Sequence, residues 1–280
     1  MTINQAYQQL VRRLERLYGE GEAKSIARIV FEDAFGIRNF LRQDALAPKQ
    51  SAQLGLITSR LLAHEPVQYI LGEADFYGLK FRVDQRILIP RPETEELVHW
   101  MLETLEQGHL KVLDIGTGSG CIPVTLKKHR PGWDVWAVDI SLKALELAEE
   151  NAHTNGVEVQ FQPLDILKES QWAELGRFDA IVSNPPYIPR RESALMPENV
   201  RHYEPHLALF VDNEAPLVFY RAISRFAKQH LSPGGFLFFE ANEFNAGEVA
   251  KVFEKQGFKG VEVKQDLNGK ERMVRCQLAQ

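Results

Sequence analysis

One short segment contains residue types that could hold a flat, weakly basic nitrogen. Asn184-Pro185-Pro186-Tyr187 follows a buried strand predicted over residues 178–183. The side-chain oxygen of Asn184 and the carbonyl of Pro185 could each accept one N–H proton of an amide or exocyclic amino group. These contacts would stabilise the positive charge that develops as the nitrogen attacks an electrophile. Pro186 restricts Pro185 to an extended conformation, and Tyr187 could stack on a flat group. Catalysis is therefore assigned to Asn184, Pro185 and Tyr187, and substrate binding to these three together with Pro186.

A glycine-rich turn, Gly116-Thr117-Gly118-Ser119-Gly120, lies between a predicted strand and the helix after it. Alternate glycines let the backbone approach a ligand closely, and the start of a helix presents free N–H groups. A dinucleotide-binding turn, G-x-G-x-x-G, would need a third glycine where this chain has Cys121. The D-x-G-x-G-x-G spacing indicates a ligand without a pyrophosphate. Together with the Asn-Pro-Pro-Tyr segment it favours S-adenosylmethionine, so all five residues of the turn are predicted to bind this cofactor.

Two acidic residues follow the next two predicted strands. Asp139 could accept both hydroxyl protons of a ribose. The alternative, that Asp139 caps the following helix, is less favoured because Ser141 suits that position better. Asp165 could meet the adenine amino group, although an ordinary loop position would also explain it. We predict that Asp139, Asp165 and Asn184 contribute to cofactor binding. A sulfonium donor is already activated, so alignment for in-line transfer is the main requirement and no strong base is needed.

Strands and helices alternate from residue 110 onward. This alternation indicates an α/β, Rossmann-like sheet that is mostly parallel and covered by helices on both faces. The last two predicted strands, 259–265 and 272–278, have little helix between them and indicate an antiparallel edge. Ligands of such sheets bind beyond the carboxyl ends of the strands, which is where the glycine turn, Asp139 and Asn184 are expected.

The first 75 residues have a different pattern. Apolar residues at three-and-four spacing predict one helix before Gly19-Glu20-Gly21, a second after it and a third from about Ser51. Alternating residues around Gly78 predict a β-hairpin. The predicted organisation is an N-terminal helical domain over 1–75, a hairpin linker over 76–90 and a methyltransferase domain over 91–280.

Composition argues against several classes of protein. The 280 residues include 33 basic and 38 acidic side chains, a net charge of -5. Because proteins that hold long nucleic acids are usually basic, no direct nucleic-acid binding is expected. Neither a signal peptide nor a membrane span is predicted, and Cys121 and Cys276 do not suggest a disulfide framework. His202 and His206 flank Pro205, and no metal site is expected. These features predict a cytoplasmic protein.

Taken together, the motifs closely resemble one family, the PrmC/HemK peptide chain release factor glutamine N5-methyltransferases. The resemblance covers nearly the whole chain. Its segments are residues 65–72, 90–95, 114–120, 183–188, 203–205, 231–235 and 266–272. The glycine turn and Asn-Pro-Pro-Tyr occur in many amino-methyltransferases, whereas the helical N-terminal segment combined with Arg-Pro-Glu-Thr-Glu is far more specific.

The resemblance implies the class I S-adenosylmethionine methyltransferase fold and binding of the cofactor by residues 116–120 and Asp139. It also implies that residues 184–187 hold the glutamine of the Gly-Gly-Gln motif in class 1 release factors, which are the expected protein partners. Methylation of that glutamine would modulate translation termination. The helical domain and hairpin would then help to dock the release factor.

Some positions depart from the family, and other functions stay open. Ile166 replaces a tryptophan of some relatives, and glycines often found near Val211 and Ala241 are missing. The alternatives are an N6-adenine methyltransferase acting on DNA or RNA, a ribosomal-protein glutamine methyltransferase, and a non-catalytic cofactor-binding adaptor.

Overall fold

The structure, a computed structural model, describes residues 1–279, which form two compact units. The smaller unit contains Met1–Glu73 and Pro197–Tyr203. The larger unit contains Ala74–Met196 and the chain from Glu204 onward. No helix within residues 1–279 combines the length and the apolar character needed to cross a membrane.

The secondary structure follows the predicted alternation. The helices are α1 (Ile3–Ile29), α2 (Pro48–Leu62), α3 (Val67–Leu71), α4 (Pro92–Thr104), α5 (Cys121–His129), α6 (Leu142–Thr154), α7 (Glu198–Tyr203), α8 (His206–Leu209), α9 (Val218–His230) and α10 (Ala246–Lys255). The strands are β1 (Glu73–Phe76), β2 (Leu79–Arg82), β3 (Lys111–Ile115), β4 (Asp134–Asp139), β5 (Gln160–Pro163), β6 (Phe178–Ser183), β7 (Ile188–Pro189), β8 (Phe210–Val211), β9 (Leu231–Glu240), β10 (Lys259–Gln265) and β11 (Glu271–Gln277). Single π- or 3₁₀-helical turns cover Val30–Ala34, Glu169–Glu174 and Arg190–Leu195.

Helices of the smaller unit pack around a buried apolar core. Helix α1 begins with a capping box, in which Thr2 Oγ1 accepts from the Gln5 N–H and Gln5 Oε1 accepts from the Thr2 N–H. The backbone leaves the helical conformation at Gly19, where φ is +77°, so the predicted break is confirmed as a kink inside α1. The core residues include Leu10, Leu14, Ala27, Phe31, Leu54 and Leu61.

Helix α7 was not predicted from the sequence. It belongs to the smaller unit, and Tyr203 at its end donates a hydrogen bond from its hydroxyl to the Ala63 carbonyl at 2.8 Å. The sequence signal is weak because helices of four to six residues are too short to display a periodic apolar face.

A seven-stranded sheet in the order β10-β11-β9-β6-β3-β4-β5 forms the larger unit. Strands β9, β6, β3, β4 and β5 pair in parallel, and β11 is antiparallel to both β9 and β10. The prediction of a mostly parallel sheet with antiparallel pairing at one edge is confirmed. The antiparallel strand is β11, second from the edge, because the chain passes β9 to form β10 and returns between them.

Both faces of this sheet are buried. Ile181 of β6 lies in one core with residues of α9 and α10, whereas Ala180 and Val182 lie in the other core with residues of α4 and α5. Successive side chains of a strand point to opposite faces, so this division shows helices covering both sides. Such burial explains why β6 reads as an almost continuous apolar run.

Strands β1 and β2 form the predicted hairpin, and it packs as part of the larger unit. Phe76 and Phe81 are fully buried in the core that also contains residues of α4 and α5. The amide of Asn151 in α6 accepts from the Arg82 N–H at 2.7 Å and donates to the Arg82 carbonyl at 3.1 Å. The predicted linker is therefore joined to the sheet unit by aromatic burial and by hydrogen bonds to its backbone.

The approach of α5 to α6 depends on Gly120. This residue precedes α5 with a φ of +76°, and a Cβ there would lie 3.0 Å from the Ala148 Cβ of α6. We expect Gly120→Ala to lower the free energy of unfolding by about 1–3 kcal/mol, because it adds left-handed backbone strain and a close contact. Urea denaturation followed by circular dichroism measures this change.

Gly132→Ala is the matched control, since Gly132 is not in the left-handed region and a Cβ there would point into open space. Its free energy of unfolding should stay within about 0.5 kcal/mol of the parent. Equal effects of the two substitutions would contradict the proposed contact.

Candidate active site

The carboxyl ends of four adjacent parallel strands surround a cavity of about 280 Å³. Its walls include Gly116 and Gly118 after β3, Asp139 at the end of β4, Asp165 and Ile166 after β5, and residues 184–186 after β6. The structure therefore brings most of the sequence-predicted site residues to one cavity. Its location is the one expected for ligand sites of open α/β sheets.

Asp139 connects the glycine turn to the end of β4. Its Oδ2 accepts from the Gly118 N–H at 2.9 Å, and its Oδ1 accepts from the Ser141 N–H at 2.8 Å. Ser141 Oγ in turn accepts from the Ala144 N–H, so Ser141 caps α6, as predicted. Burial raises the pKa of the Asp139 carboxyl, while the backbone N–H donors oppose that rise. Each carboxylate oxygen keeps a further lone pair that can accept a ligand hydroxyl.

The glycine turn leaves room for a ligand in the cavity wall. Gly116 and Gly118 have φ values of +78° and +56°, and a Cβ on either would project into open space. The rest of the predicted turn is buried around them: Thr117 and Ser119 are almost inaccessible, and Ser119 Oγ accepts from the Cys121 N–H. Only Gly116 and Gly118 of the five turn residues contribute to this cavity wall, and the other three support the turn.

Asp165 lies in the cavity wall, but its own loop engages its carboxylate. The Oδ1 atom accepts from the Leu167 N–H at 3.0 Å, and Oδ2 lies 3.4 Å from Lys168 Nζ. The neighbouring Ile166 contributes an apolar side chain to the same wall. A role for Asp165 in binding adenine stays a prediction, and these contacts show that the residue also shapes the turn after β5.

Asn184 is held at the cavity by a chain of hydrogen bonds. Its Nδ2 donates to Thr94 Oγ1 at 3.2 Å, and Thr94 Oγ1 lies 2.6 Å from Glu240 Oε2. Burial raises the pKa of the Glu240 carboxyl to about 7, while its hydrogen bond to Thr94 opposes that rise. The side chain of Asn184 is thus fixed by residues of α4 and β9.

Thr94 and Glu240 were not among the predicted site residues. Thr94 occurs in the Arg-Pro-Glu-Thr-Glu segment that supported the family resemblance, and Glu240 ends a strand beside β6. The signal for Glu240 was its place at the carboxyl end of a strand in the predicted sheet. This position places Glu240 near the Asn-Pro-Pro-Tyr segment only when β9 is known to pair with β6.

The last residue of the Asn-Pro-Pro-Tyr segment has a different environment from the other three. Tyr187 packs against the core that contains residues of α9 and α10, and burial raises the pKa of its hydroxyl. Glu240, Arg272, Arg91 and Glu93 are the charged groups that act on it. Stacking of Tyr187 on a substrate stays a prediction, and its observed packing anchors the loop after β6.

A partly buried ion pair holds the segment that leads into α4. The Glu204 carboxylate accepts from Arg91 Nη2 at 2.5 Å and from the Ile89 N–H at 3.1 Å. Glu204 is 3% exposed, and Pro205 beside it lines the cavity. Two of the segments that carried the family resemblance, 90–95 and 203–205, therefore meet through this pair.

Known proteins resemble this chain over nearly its full length. Residues 5–72 match the PrmC N-terminal domain, and residues 96–202 match the methyltransferase small domain. The release factor glutamine methyltransferase of Flavobacterium psychrophilum is 41% identical, with 98% of this chain and 99% of that protein covered. The chain belongs to the release factor glutamine methyltransferase family. The family member of Bacteroides thetaiotaomicron is 38% identical over 93% of this chain and 95% of its own length.

Solved structures of more distant methyltransferases share the fold. The methyltransferase domain of METTL16 has a TM-score of 0.55 at 17% identity, covering 81% of this chain and 96% of that domain. The Thermus thermophilus 16S rRNA N2 G1207 methyltransferase, solved with S-adenosylmethionine and guanosine, has a TM-score of 0.53 at 20% identity, covering 74% of this chain and 49% of that one. This release factor glutamine methyltransferase family member therefore has the class I fold. From its match to the methyltransferase small domain, its cofactor is S-adenosylmethionine.

We expect Asp139→Ala to weaken S-adenosylmethionine binding by about ten- to a hundredfold, because it removes hydrogen bonds to a charged acceptor. It also removes the anchor of the Gly118 N–H, which adds to the loss. Isothermal titration calorimetry gives the dissociation constant. Glu158→Ala, at an exposed position before β5, is the control and should bind normally. An unchanged constant for Asp139→Ala would remove this residue from the cofactor site.

Proposed function

We propose that this protein methylates the side-chain amide nitrogen of the glutamine in the Gly-Gly-Gln motif of class 1 peptide chain release factors. The observation that carries the proposal is the fixed Asn184 amide at the cavity wall, in a chain 41% identical to a release factor glutamine methyltransferase. We propose that it acts in the cytoplasm and thereby modulates translation termination.

The geometry around Asn184 suits a nitrogen with a delocalised lone pair. Because Nδ2 of Asn184 is occupied by Thr94, its Oδ1 is the atom left to accept an N–H of the glutamine amide. The Pro185 carbonyl would accept the second N–H, since proline itself has no competing donor. Two such acceptors hold the nitrogen and stabilise the positive charge that develops on it.

Binding of the cofactor is assigned to the part of the cavity wall that follows β3 and β4. Asp139 would accept the ribose hydroxyls, and Gly116 and Gly118 let the backbone approach the ligand. The cofactor, when bound, supplies an electrophilic methyl group on a sulfonium. The protein's task is then alignment of the amide nitrogen, and the surplus proton leaves to water after transfer.

A direct assay tests the substrate class. The protein is incubated with S-adenosylmethionine labelled in its methyl group and with separate pools of release factor, ribosomal proteins, RNA and DNA. Label on the release factor glutamine is the expected result. Label on adenine in DNA or RNA, or on a ribosomal protein in preference to release factor, would overturn the proposal.

Asn184→Ala tests the proposed role of Asn184 in holding the substrate amide. We expect turnover on release factor to fall by about 10² or more, the scale of losing one preorganised polar contact in a transition state. Calorimetry should show only a small rise in the cofactor dissociation constant, because the ribose contacts lie elsewhere in the cavity and Asn184 would meet the cofactor only near its methyl group. A single-turnover rate within threefold of the parent would contradict the role of Asn184.

We further propose that the smaller, helical unit and the β1–β2 hairpin bind the release factor outside its Gly-Gly-Gln motif. A glutamine amide is common on protein surfaces, so contacts to one side chain cannot select a single residue. Support comes from the match of residues 5–72 to the PrmC N-terminal domain.

If the helical unit and hairpin bind the release factor, kcat/KM should differ greatly between intact release factor and a short Gly-Gly-Gln peptide. With the full-length protein, kcat/KM for the peptide should be lower by about a hundredfold or more, because remote binding energy also holds the reacting group. Methylation of both substrates is measured under identical conditions. Equal kcat/KM values would rule out the docking role.

A further inference from the structure

Donor and acceptor roles can be assigned to the three side chains in the hydrogen-bond chain from Glu240 through Thr94 to Asn184. Thr94 has a single hydroxyl proton and lies between two groups. The 2.6 Å separation from Glu240 Oε2 fits a hydroxyl that donates to an ionised carboxylate, and the 3.2 Å separation from Asn184 Nδ2 fits an ordinary N–H donor. An ionised Glu240 can only accept a hydrogen bond, so with Glu240 ionised Thr94 donates to Glu240 and accepts from Asn184.

This direction has a consequence for the amide of Asn184. If the Thr94 proton is committed to Glu240, only lone pairs of Thr94 Oγ1 face Asn184, and Asn184 must present its NH2 group to them. The carbonyl oxygen of Asn184 is then left for the cavity. If Glu240 were protonated, it could donate to Thr94, and Thr94 could donate to Asn184 Oδ1. The NH2 group of Asn184 would then face the cavity, where it cannot accept an N–H from an amide.

We propose that Thr94 and ionised Glu240 are positioning residues that set the polarity of the Asn184 amide, so that its oxygen faces the substrate nitrogen. The proposal rests on the proposed function, in which Asn184 accepts an N–H of the substrate amide. It assigns a functional role to a buried carboxylate that does not line the cavity.

Several charged or titratable groups act on Glu240. Glu93 and Arg91 lie at the start of α4, Arg272 lies on β11, Tyr187 follows β6, Tyr220 lies on α9 and Cys121 begins α5. Burial and Glu93 raise the pKa of Glu240 to about 7, while Thr94 and the two arginines oppose the rise. The group is therefore placed to change charge near neutral pH. Its ionised form can only accept, and it therefore requires Thr94 to donate.

As pH falls through about 7, protonated Glu240 accumulates and turnover at saturating cofactor and release factor should fall. Because a single proton binds, turnover should fall roughly tenfold per pH unit well below the pKa. Glu240→Gln mimics the protonated state, because its amide can donate to Thr94. Glu240→Gln should reduce the single-turnover rate at least tenfold at pH 8. It should also remove the acid limb, which is the fall in rate at low pH.

Substitutions of Thr94 distinguish the effect of its hydroxyl on the orientation of the Asn184 amide from the effect of its side-chain shape on packing. Thr94→Val keeps the shape and removes the hydroxyl, and it should reduce the single-turnover rate at least tenfold with a nearly unchanged cofactor dissociation constant. Thr94→Ser restores the hydroxyl and should recover most of the rate. Thr125→Val, the same change at a buried position of α5, is the control and should keep the parental rate and profile. Circular dichroism and calorimetric cofactor binding establish that each variant is folded.

The outcomes distinguish the two proposals. If the parent labels release factor while Thr94→Ser is as slow as Thr94→Val, or while Glu240→Gln keeps the acid limb, the polarity proposal is overturned and the proposed function stands. If the parent places no label on release factor, both fall. An acid limb that disappears in Glu240→Gln, together with rescue by Thr94→Ser, is the supporting result.

Discussion

The hydrogen bond from Ser183 Oγ to the Ile115 carbonyl, 2.7 Å long, joins the ends of β6 and β3. The residue that follows each strand begins one part of the site. Gly116 begins the glycine turn after β3, and Asn184 begins the loop after β6 that is proposed to hold the substrate amide. Parallel pairing of Val112 with Ala180 and of Asp114 with Val182 fixes the same register along both strands. A slip of one residue would exchange the faces of every side chain on β6, so the core and the site are specified together.

Local chemistry made several features predictable. Strand β6 was predicted with the bounds it has, because it is mostly apolar and ends at a proline-rich turn. The capping of α6 by Ser141 was also predictable, since serine is favoured at the start of a helix. Both predictions depended on residues within a few positions of one another.

Features that depend on distant residues could not be predicted in the same way. Thr94 and Glu240 are 146 positions apart, and their contact requires β9 to lie beside β6 and the start of α4 to approach the end of β9. The packing of Tyr187 against the core and the attachment of the hairpin to α6 through Asn151 are of the same kind. A periodic pattern reports which face of an element is buried, but it does not report which element covers that face.

Pairing of β11 between β9 and β10 has a consequence for the order of events during synthesis. Glu240 pairs with Met273, and the Ala241 N–H donates to the Arg272 carbonyl at 2.7 Å. The ribosome makes the glycine turn and Asn184 long before it makes β11, which ends at Gln277. The neighbourhood of Glu240 is therefore assembled only after β11 has been synthesised. A nascent chain of this protein contains both halves of its site before it contains the strand that completes them.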